Sequence, residues 1–366
     1  MTDLQKEKLM AFANALVDQK KARVIVPAQE DSTGFWYGGG NMVEDRDGSL
    51  YVTGRYRNFG DSRTGTGAGV RGLELAIFKS EDKGDNWSKV KSFSKKDLNI
   101  GDWEVLSIEG TALNFTEDGV ELFISTEKLN RPFVDGFSEF HKPGTGSWTI
   151  ELMKADKIEN LSAENYKTVL QSRDPRWFNV KDPFLGKNSA GDLIVGYCTH
   201  PFNWSSSNTG YVTRKKGSED FSEQNNTFLP RGFCWDVGIT RGTALMKVPS
   251  VGVFETSDVS LMFYDGGEAM RSYEQHANAV IRPRGHSCEE LGGVACIEDG
   301  KLESAEKMSV ALPSFVSPWG TGCSRYVDVL ETEDGFYTTW QQSQKNSSQP
   351  LVMTFISRDE AEEILK

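Results

Sequence analysis

The chain has 366 residues and a formal net charge of −12, with 41 Lys and Arg residues against 53 Asp and Glu residues. No stretch approaches the about 18 consecutive apolar residues of a membrane-spanning helix, so we expect no membrane partner. The acidic balance argues against a general nucleic-acid binder, because such proteins carry a basic footprint. With 37% hydrophobic and 26% charged residues, the composition is that of a globular protein.

The first 20 residues predict an amphipathic helix. Leu9, Phe12, Ala13 and Leu16 fall on one of its faces. The segment has neither an apolar signal region nor a cleavage site, and the five cysteines contain no Cys-x-x-Cys pair. We therefore expect a cytoplasmic location, with secretion as the alternative should a leader precede this sequence.

The central part of the chain repeats a turn followed by an alternating apolar strand, which is typical of all-β structure. The five turns are marked by acidic residues spaced 71, 74, 66 and 76 residues apart: Asp47, Asp118, Asp192, Asp258 and Asp334. A period near 70 with several strands per unit predicts a β-propeller, since each small sheet can cover both faces only by packing in a ring. Two stacked β-sandwich domains are the competing interpretation.

We predict a single all-β domain over residues 1–366, a five-bladed β-propeller with short terminal helices. The N-terminal helix takes residues 1–20, the blades take residues 22–356, and a helix takes residues 357–366. Ser357 and Glu360 form the capping box that starts the last helix. The apolar run 24–26 has no unit of its own and is predicted to close the ring beside residues 351–356.

The segment from Ser80 to Trp87 fits the pattern Ser-x-Asp-x-Gly-x-x-Trp, known as the Asp box. Physically it is a tight hairpin in which Asp82 accepts backbone N–H groups and Gly84 supplies a positive φ. The motif resembles the Asp box of bacterial sialidases. It supports the fold and is not catalytic, so no sialidase catalytic residue is transferred to this chain.

A second resemblance spans most of the chain. The segments Ile108-Glu109-Gly110, Lys181-Asp182-Pro183-Phe184 and 263–267 look like inner-strand starts in the five-bladed arabinanase, fructosidase and mannoside-phosphorylase clans. Those families place carboxylates on the innermost strands of successive blades. Their first blade usually carries an Asp-Pro pair, where this chain has Gly38-Gly39-Gly40-Asn41.

Three carboxylates from three blades are candidate catalytic residues: Glu109, Asp182 and Asp236. Residues at the starts of inner strands converge on one channel mouth, and glycoside hydrolysis needs such a set of carboxylates. The structural alternatives are an ion pair of Glu109 with Arg241 or Arg325, and a turn at Asp182. Asp265 is a further candidate, with a turn role as the alternative.

The candidate substrate-binding residues are the aromatic, amide, basic and imidazole side chains predicted near the same mouth. These residues are Tyr37, Asn41, Arg55, His200, Trp235, Arg241 and Arg325. Aromatic rings at a pocket mouth suit the apolar faces of sugars. The arginines suit a substrate that carries a carboxylate or sulfate, although structural ion pairs are the commoner role of such residues.

The sequence favours a glycoside hydrolase that acts on a short oligosaccharide, neutral or acidic, by carboxylate acid/base catalysis in the central pocket. The first alternative is a lyase acting on a uronate through His or Tyr and Arg, and the second is a carbohydrate-binding propeller without activity. The five inner-strand starts differ from each other, which favours one central site over repeated lectin sites. No cofactor is expected, apart from a structural Ca²⁺ that the axial channel could hold.

Overall fold

The structure is a computed structural model that describes residues 1–58, 70–129, 131, 146–174, 176–201, 206–267 and 290–366. Within these ranges the chain forms two α-helices and 21 strands in five sheets. The helices are α1 (Asp3–Leu16) and α2 (Arg358–Leu365). The predicted five-bladed β-propeller is confirmed.

Each sheet is one blade, and its strands run in order from the inner to the outer edge. Blade 1 contains β2 (Trp36–Gly38), β3 (Met42–Glu44), β4 (Leu50–Asn58), β5 (Val70–Ser80) and β6 (Ser88–Ser94). Blade 2 contains β7 (Val105–Phe115), β8 (Val120–Lys128), β9 (Ser147–Ala155) and β10 (Lys167–Leu170). Blade 3 contains β11 (Trp177–Lys187), β12 (Leu193–Pro201), β13 (Asn208–Arg214) and β14 (Asn225–Leu229).

Blade 4 contains β15 (Ile239–Lys247), β16 (Val259–Gly267), β17 (Leu291–Glu298) and β18 (Glu306–Lys307). Blade 5 contains β19 (Ser324–Glu331), β20 (Gly335–Gln342), β21 (Leu351–Ser357) and, on its outer edge, β1 (Arg23–Val26). The strand β1 pairs antiparallel with β21, with Arg23 opposite Met353. The first strand of the chain therefore completes the last blade, as the sequence predicts.

The innermost strands contact one another around the axis. The strand β7 contacts β11, β11 contacts β15, and β15 contacts β19, while β3 contacts both β7 and β19. The five repeating Asp turns of the sequence each precede the second strand of a blade, namely β4, β8, β12, β16 and β20. The period near 70 thus measures one blade.

The buried apolar side chains of the described residues form five clusters, one at each blade interface. The cluster between blades 4 and 5 also takes in both helices, with Leu9, Phe12 and Leu16 fully buried. The other clusters lie between blades 1 and 2, 5 and 1, 3 and 4, and 2 and 3. Each sheet buries both of its faces only because a neighbour covers each face.

Both helices begin with a capping box. The Thr2 hydroxyl accepts a hydrogen bond from the Gln5 amide at α1, and the Ser357 hydroxyl accepts one from the Glu360 amide at α2. In the described part of the chain, no helix has the length and apolar composition needed to cross a membrane.

The Ser80–Trp87 segment forms the turn between β5 and β6. Asp82 accepts a hydrogen bond from the Asn86 amide at 2.9 Å, and Gly84 has φ of +89°. The hydrogen bonds from Asn86 lower the pKa of Asp82 to about 2. The Trp87 indole donates to the Gly84 carbonyl at 2.9 Å, which folds the ring over the turn. The link to sialidases stays a prediction.

Candidate functional site

The innermost strands lose their regular register at the same level around the axis. In blade 1 the break separates β2 from β3, and in the other blades it is a β-bulge. The residues at these breaks are Gly39 and Gly40, Glu109 and Gly110, Asp182 and Pro183, Thr243, and Tyr326 and Val327. A bulge redirects side chains out of the regular alternation. As a result, residues from all five blades line one small axial cavity of about 10 Å³.

Asp182 lies at the bulge of β11 with φ of +52°, a left-handed conformation that Asp adopts more readily than most residues. Its amide donates a hydrogen bond to the Ser125 hydroxyl at 3.0 Å. Its Oδ1 accepts one from the Gly110 amide at 2.8 Å. Blade 2 therefore fixes the position of a buried carboxyl group from blade 3.

Three cations surround the Asp182 carboxylate. Arg241 Nη1 lies 3.3 Å from Oδ2, Lys181 Nζ lies 3.8 Å from Oδ2, and Arg55 Nη2 lies 4.0 Å from Oδ1. Burial by itself would raise the pKa of Asp182. The Lys181, Arg241 and Arg55 charges outweigh burial and lower the pKa to about 2. Asp182 is therefore ionised at neutral pH.

Glu109 lies beside Asp182, on the neighbouring blade. Its Oε1 accepts a hydrogen bond from the Ser107 hydroxyl at 2.7 Å, and its Oε2 lies 3.7 Å from Arg55 Nη2. The same Arg55 nitrogen contacts Asp182. Arg55 itself is held by the Gly38 carbonyl and the Tyr326 hydroxyl, each at 2.9 Å. The two carboxylates thus share one fixed guanidinium group.

Arg241 is the centre of a buried ion network on the side of blade 4. Its Nη2 donates to Asp265 Oδ2 and to Glu290 Oε2, both at 2.7 Å. Its guanidinium lies over the Tyr326 ring, 4.1 Å from the centroid. The Tyr326 amide donates to Asp265 Oδ1 at 3.0 Å. Burial raises the pKa of Asp265 to about 7, since it outweighs the attraction of Arg241, and the Glu290 charge adds to the rise.

Glu290 joins this network to blade 5. Arg325 Nη1 donates to Glu290 Oε2 at 2.5 Å, and the Arg325 guanidinium lies 5.0 Å from the centroid of the Trp36 ring. Burial would raise the pKa of Glu290, but the Arg241 and Arg325 charges outweigh it and lower the pKa. The Glu290 side chain keeps 16% of its surface exposed, against 3% for Asp182.

His200 lies at the end of β12, next to the inner strand of blade 3. Its Nδ1 is 3.5 Å from the side-chain nitrogen Nδ2 of Asn179, and its ring is nearly perpendicular to the Trp148 ring, with 5.9 Å between centroids. Lys181 Nζ lies 5.9 Å from the centroid of the same Trp148 ring. His200 and Lys181 therefore both pack against Trp148. The His200 side chain is buried.

The structure does not bring Asp236 and Trp235 into the axial network. Lys307, on the outermost strand of blade 4, donates to Asp236 Oδ2 at 2.5 Å. The Trp235 indole donates to the Ser309 carbonyl at 2.7 Å, and its ring stacks on Tyr264 at 5.6 Å between centroids. Only 1% of Trp235 is exposed, which leaves no ring face for a sugar. The expectation that both residues line the mouth is therefore corrected.

Tyr37 and Asn41 are also placed differently from the expectation. Tyr37 is fully buried, and its hydroxyl donates to the Ala76 carbonyl at 2.9 Å. The Asn41 side chain donates to the Leu113 carbonyl at 2.9 Å and accepts from the Leu113 amide at 2.7 Å. Tyr37 packs inside blade 1, and Asn41 joins blade 1 to blade 2.

Sequence reasoning missed three residues of the network. Lys181 stands in the segment Lys181-Asp182-Pro183-Phe184 but was given no role there, and Tyr326 directly follows the predicted residue Arg325. Glu290 directly precedes β17, the third strand of its blade. A search of inner-strand starts passes over it, and only its position in space identifies it.

The described residues contain no group of three or more His, Cys, Asp or Glu side chains placed to hold a metal ion. Of the residues around the axial cavity, Asp182 supplies a carboxylate, and this carboxylate already accepts from Gly110 and contacts three cations. This donor set does not fit Ca²⁺, which takes six to eight oxygen ligands. The axial calcium ion stays a prediction.

No protein-family model and no curated protein sequence matches the chain. Solved structures match it in fold. An arabinanase from Bacillus subtilis aligns with a TM-score of 0.53 at 12% identity, covering 92% of this chain and 98% of that one. An α-L-arabinofuranosidase from Lactobacillus brevis gives 0.56 at 8% identity, with 93% and 95% covered. The β-1,2-mannobiose phosphorylase from Listeria innocua, in complex with β-1,2-mannobiose, gives 0.55 at 10% identity, with 94% and 93% covered.

These alignments span nearly the whole of each chain at very low identity, so they show a shared fold and nothing finer. They confirm, at that level, the resemblance to arabinanase-type propellers that Glu109 and Asp182 suggest in the sequence. The chain has the five-bladed β-propeller fold of these proteins.

Proposed function

We propose that the protein is a glycoside hydrolase that cleaves a short oligosaccharide, with Glu109 and Asp182 as its catalytic carboxylates. One observation carries the proposal: carboxylates from adjacent blades contact the same Arg55 nitrogen at 3.7 and 4.0 Å, at the axis of the propeller. Glycosidases commonly use two carboxyl groups, one to protonate the leaving oxygen and one to attack the sugar or to activate water.

The environments of the two groups support different roles. Asp182 has a pKa of about 2 and stays ionised, as suits a group that stabilises developing positive charge or acts on water. A group that stays ionised cannot supply a proton, so we assign the proton transfer to the leaving oxygen to Glu109, the other carboxyl group of the pair.

The narrow axis limits the direction from which a substrate can reach the carboxylates. The cavity enclosed by the inner strands holds about 10 Å³, roughly the space of one water molecule. A polysaccharide chain cannot pass through an axis of this width. The substrate would therefore reach Asp182 from one face of the ring.

The fold neighbours support the choice of substrate class. They are named as an arabinanase, an arabinofuranosidase and a mannobiose phosphorylase, and each of these names refers to a carbohydrate substrate. We extend this class to the present chain because its own carboxylates meet at the axis.

The test is a panel of aryl glycosides and short oligosaccharides, assayed for released sugar with the wild-type protein and three variants. Glu109→Gln and Asp182→Asn should each lower kcat/KM by about a hundredfold or more. Asn keeps an acceptor for Gly110 and tolerates positive φ, so Asp182→Asn should still fold. Asp236→Asn is the matched control, a buried carboxyl paired with Lys307. It should keep most of the activity.

Near-normal rates in both Glu109→Gln and Asp182→Asn would refute the assignment of these two carboxylates. Loss of rate in Asp236→Asn alone would indicate that the catalytic carboxylate lies on blade 4. The assay is run with and without inorganic phosphate. A sugar phosphate as the product would replace hydrolysis by phosphorolysis. A product that absorbs in the ultraviolet through a new double bond would replace it by elimination from a uronate.

A further inference from the structure

Lys181 holds an ammonium group that the described residues leave largely unsatisfied. It precedes Asp182 at the β11 bulge, and 19% of its side chain is exposed. Among the described residues, its ion-pair partner is Asp182 at 3.8 Å, and no residue accepts a hydrogen bond from its Nζ. An ammonium carries three N–H donors, so this geometry leaves donors for another molecule.

Asp182 does not need Lys181 as its counter-charge. Arg241 lies 3.3 Å from one carboxylate oxygen, and the Gly110 amide donates to the other at 2.8 Å. Arg55 adds a second guanidinium at 4.0 Å. Removal of Lys181 would still leave Asp182 with two cations and a backbone donor, so the ammonium charge is available to a ligand.

Lys181 keeps its charge at the pH of any ordinary assay. Burial alone would lower the pKa of Lys181, but the Asp182 and Glu109 carboxylates outweigh burial and raise it. The 3.8 Å contact between Lys181 Nζ and Asp182 Oδ2 places the ammonium group beside the proposed catalytic pair.

We infer that Lys181 binds the carboxylate of a uronic acid unit in the substrate. The inference rests on the proposed glycosidase function and names the class of sugar. Because Arg241 and Arg55 also offset the Asp182 charge, Lys181 can share its positive charge with a ligand carboxylate, which carries one negative charge. A phosphate dianion would bring more negative charge against Glu109 and Asp182.

The surroundings of Lys181 also suit a sugar ring. The Trp148 ring centroid lies 5.9 Å from Nζ, and the His200 ring packs nearly perpendicular to the Trp148 ring. An aromatic ring beside a cation offers an apolar surface for C–H groups next to a donor for the carboxylate. Trp148 is 7% exposed, so only a small part of its surface is open to a ligand.

The test is calorimetric titration of the full-length protein with sodium glucuronate, glucose and inorganic phosphate. We expect the wild-type protein to bind glucuronate more tightly than glucose or phosphate. Lys181→Met should weaken glucuronate binding by about tenfold or more, the usual effect of losing a charged hydrogen bond, and should leave glucose binding unchanged. Lys181→Arg, which keeps the charge, should retain a preference for glucuronate.

Lys187→Met is the control, because Lys187 is exposed at the far end of the same strand β11. Its glucuronate affinity should equal that of the wild-type protein. Equal affinity of the wild-type protein for glucuronate and glucose, or unchanged glucuronate binding in Lys181→Met, would overturn the inference. Tighter binding of phosphate than of glucuronate would also overturn it.

The titration separates this inference from the proposed function. If the protein binds glucuronate through Lys181 but cleaves no glycoside, the proposed function is wrong and the binding site remains. If the protein cleaves neutral glycosides through Glu109 and Asp182 but does not prefer glucuronate, the carboxylate-binding role of Lys181 is wrong and the hydrolase function remains.

Discussion

Asp328 shows how one carboxyl group can join two blades. It follows the bulge of β19, and its Oδ2 accepts a hydrogen bond from the Met42 amide of blade 1 at 2.7 Å. Burial of the carboxyl group raises its pKa to about 7, although the hydrogen bonds from Met42 and Val329 act in the opposite direction. The group therefore holds its proton in the folded state at pH values where the unfolded chain has lost it.

This difference makes stability depend on pH. A carboxyl with a raised pKa stabilises the fold fully below its unfolded pKa of about 4, and that contribution is lost as the pH rises toward 7. We expect Asp328→Asn, which keeps an acceptor for Met42, to remove up to about 1.4 kcal/mol per pH unit of this decline. Urea unfolding of both proteins between pH 4.5 and 7.5 measures the difference.

Glu333→Gln provides the control, since it changes an exposed carboxyl on the same blade. Its free energy of unfolding should follow the wild-type pH profile. Parallel profiles for Asp328→Asn and the wild-type protein would show that the Asp328 carboxyl is not the source of the decline.

At this scale the sequence predicted part of the site. Glu109, Asp182, Arg55, Arg241 and Arg325 meet at the axis, because each lies on the first or second strand of a blade, close to the bulge level. Asp236 precedes β15 by a loop, and the length of that loop lets its side chain turn outward to Lys307. A sequence pattern locates a strand, but the partner of a charged side chain depends on distant residues.

The β-bulges are the elements through which the sheets place residues in the candidate site. Four of the innermost strands carry one, and in blade 1 the chain breaks between β2 and β3 at the same level. Regular pairing on either side keeps each blade intact, and the bulge aims one or two residues at the axis. The alternating pattern and the Asp turns predicted the strands. The bulges were not predicted, because a register shift depends on pairing with a neighbouring strand.

Gly110 tests the importance of the bulge geometry. A methyl group at this position would lie 2.7 Å from the Asp182 Cα and 2.8 Å from its Oδ1, so Asp182 would have to move. If Asp182 acts as proposed, Gly110→Ala should lower kcat/KM by at least about tenfold, because small displacements of a catalytic group are costly. Steady-state kinetics on the best substrate of the panel measures the effect.

Gly48→Ala separates activity from stability. Gly48 has φ of +81° with open space around it, so alanine there strains the backbone without touching the axis. It should lower the melting temperature and leave kcat/KM unchanged. Equal loss of activity in both variants would mean that the kinetic effect of Gly110→Ala arises from general destabilisation.

The whole molecule is a ring whose stability is distributed over its blade interfaces. The clusters of apolar side chains lie between neighbouring blades, and β1 closes the ring on β21. This level of organisation was the most predictable from the sequence, because five repeats without a linker leave few other ways to bury five sheets. The placement of α1 between blades 4 and 5 was not predicted. The apolar face of the helix shows that the helix packs on another element but does not identify that element.

Phe12 of α1 measures how much the helix contributes to the ring. It is fully buried, and its ring meets that of Phe336 at 5.5 Å between centroids in an edge-on arrangement. We expect Phe12→Ala to lower the free energy of unfolding by about 3–5 kcal/mol, as large cavities in cores do. Chemical denaturation is the measurement, and Glu7→Ala, at an exposed position of the same helix, should change it by no more than about 0.5 kcal/mol.

The out-of-register residues at the axis have a consequence for how such a protein can diversify. Each blade places one or two of its own residues at the centre, and the ladder hydrogen bonds on either side do not depend on which side chains these residues carry. Substitutions there can leave the sheets intact, but an exchange on blade 2 has to keep the Gly110 amide and the space that hold Asp182 of blade 3. Substrate choice can therefore change through the residues at the axis while the five sheets keep their structure.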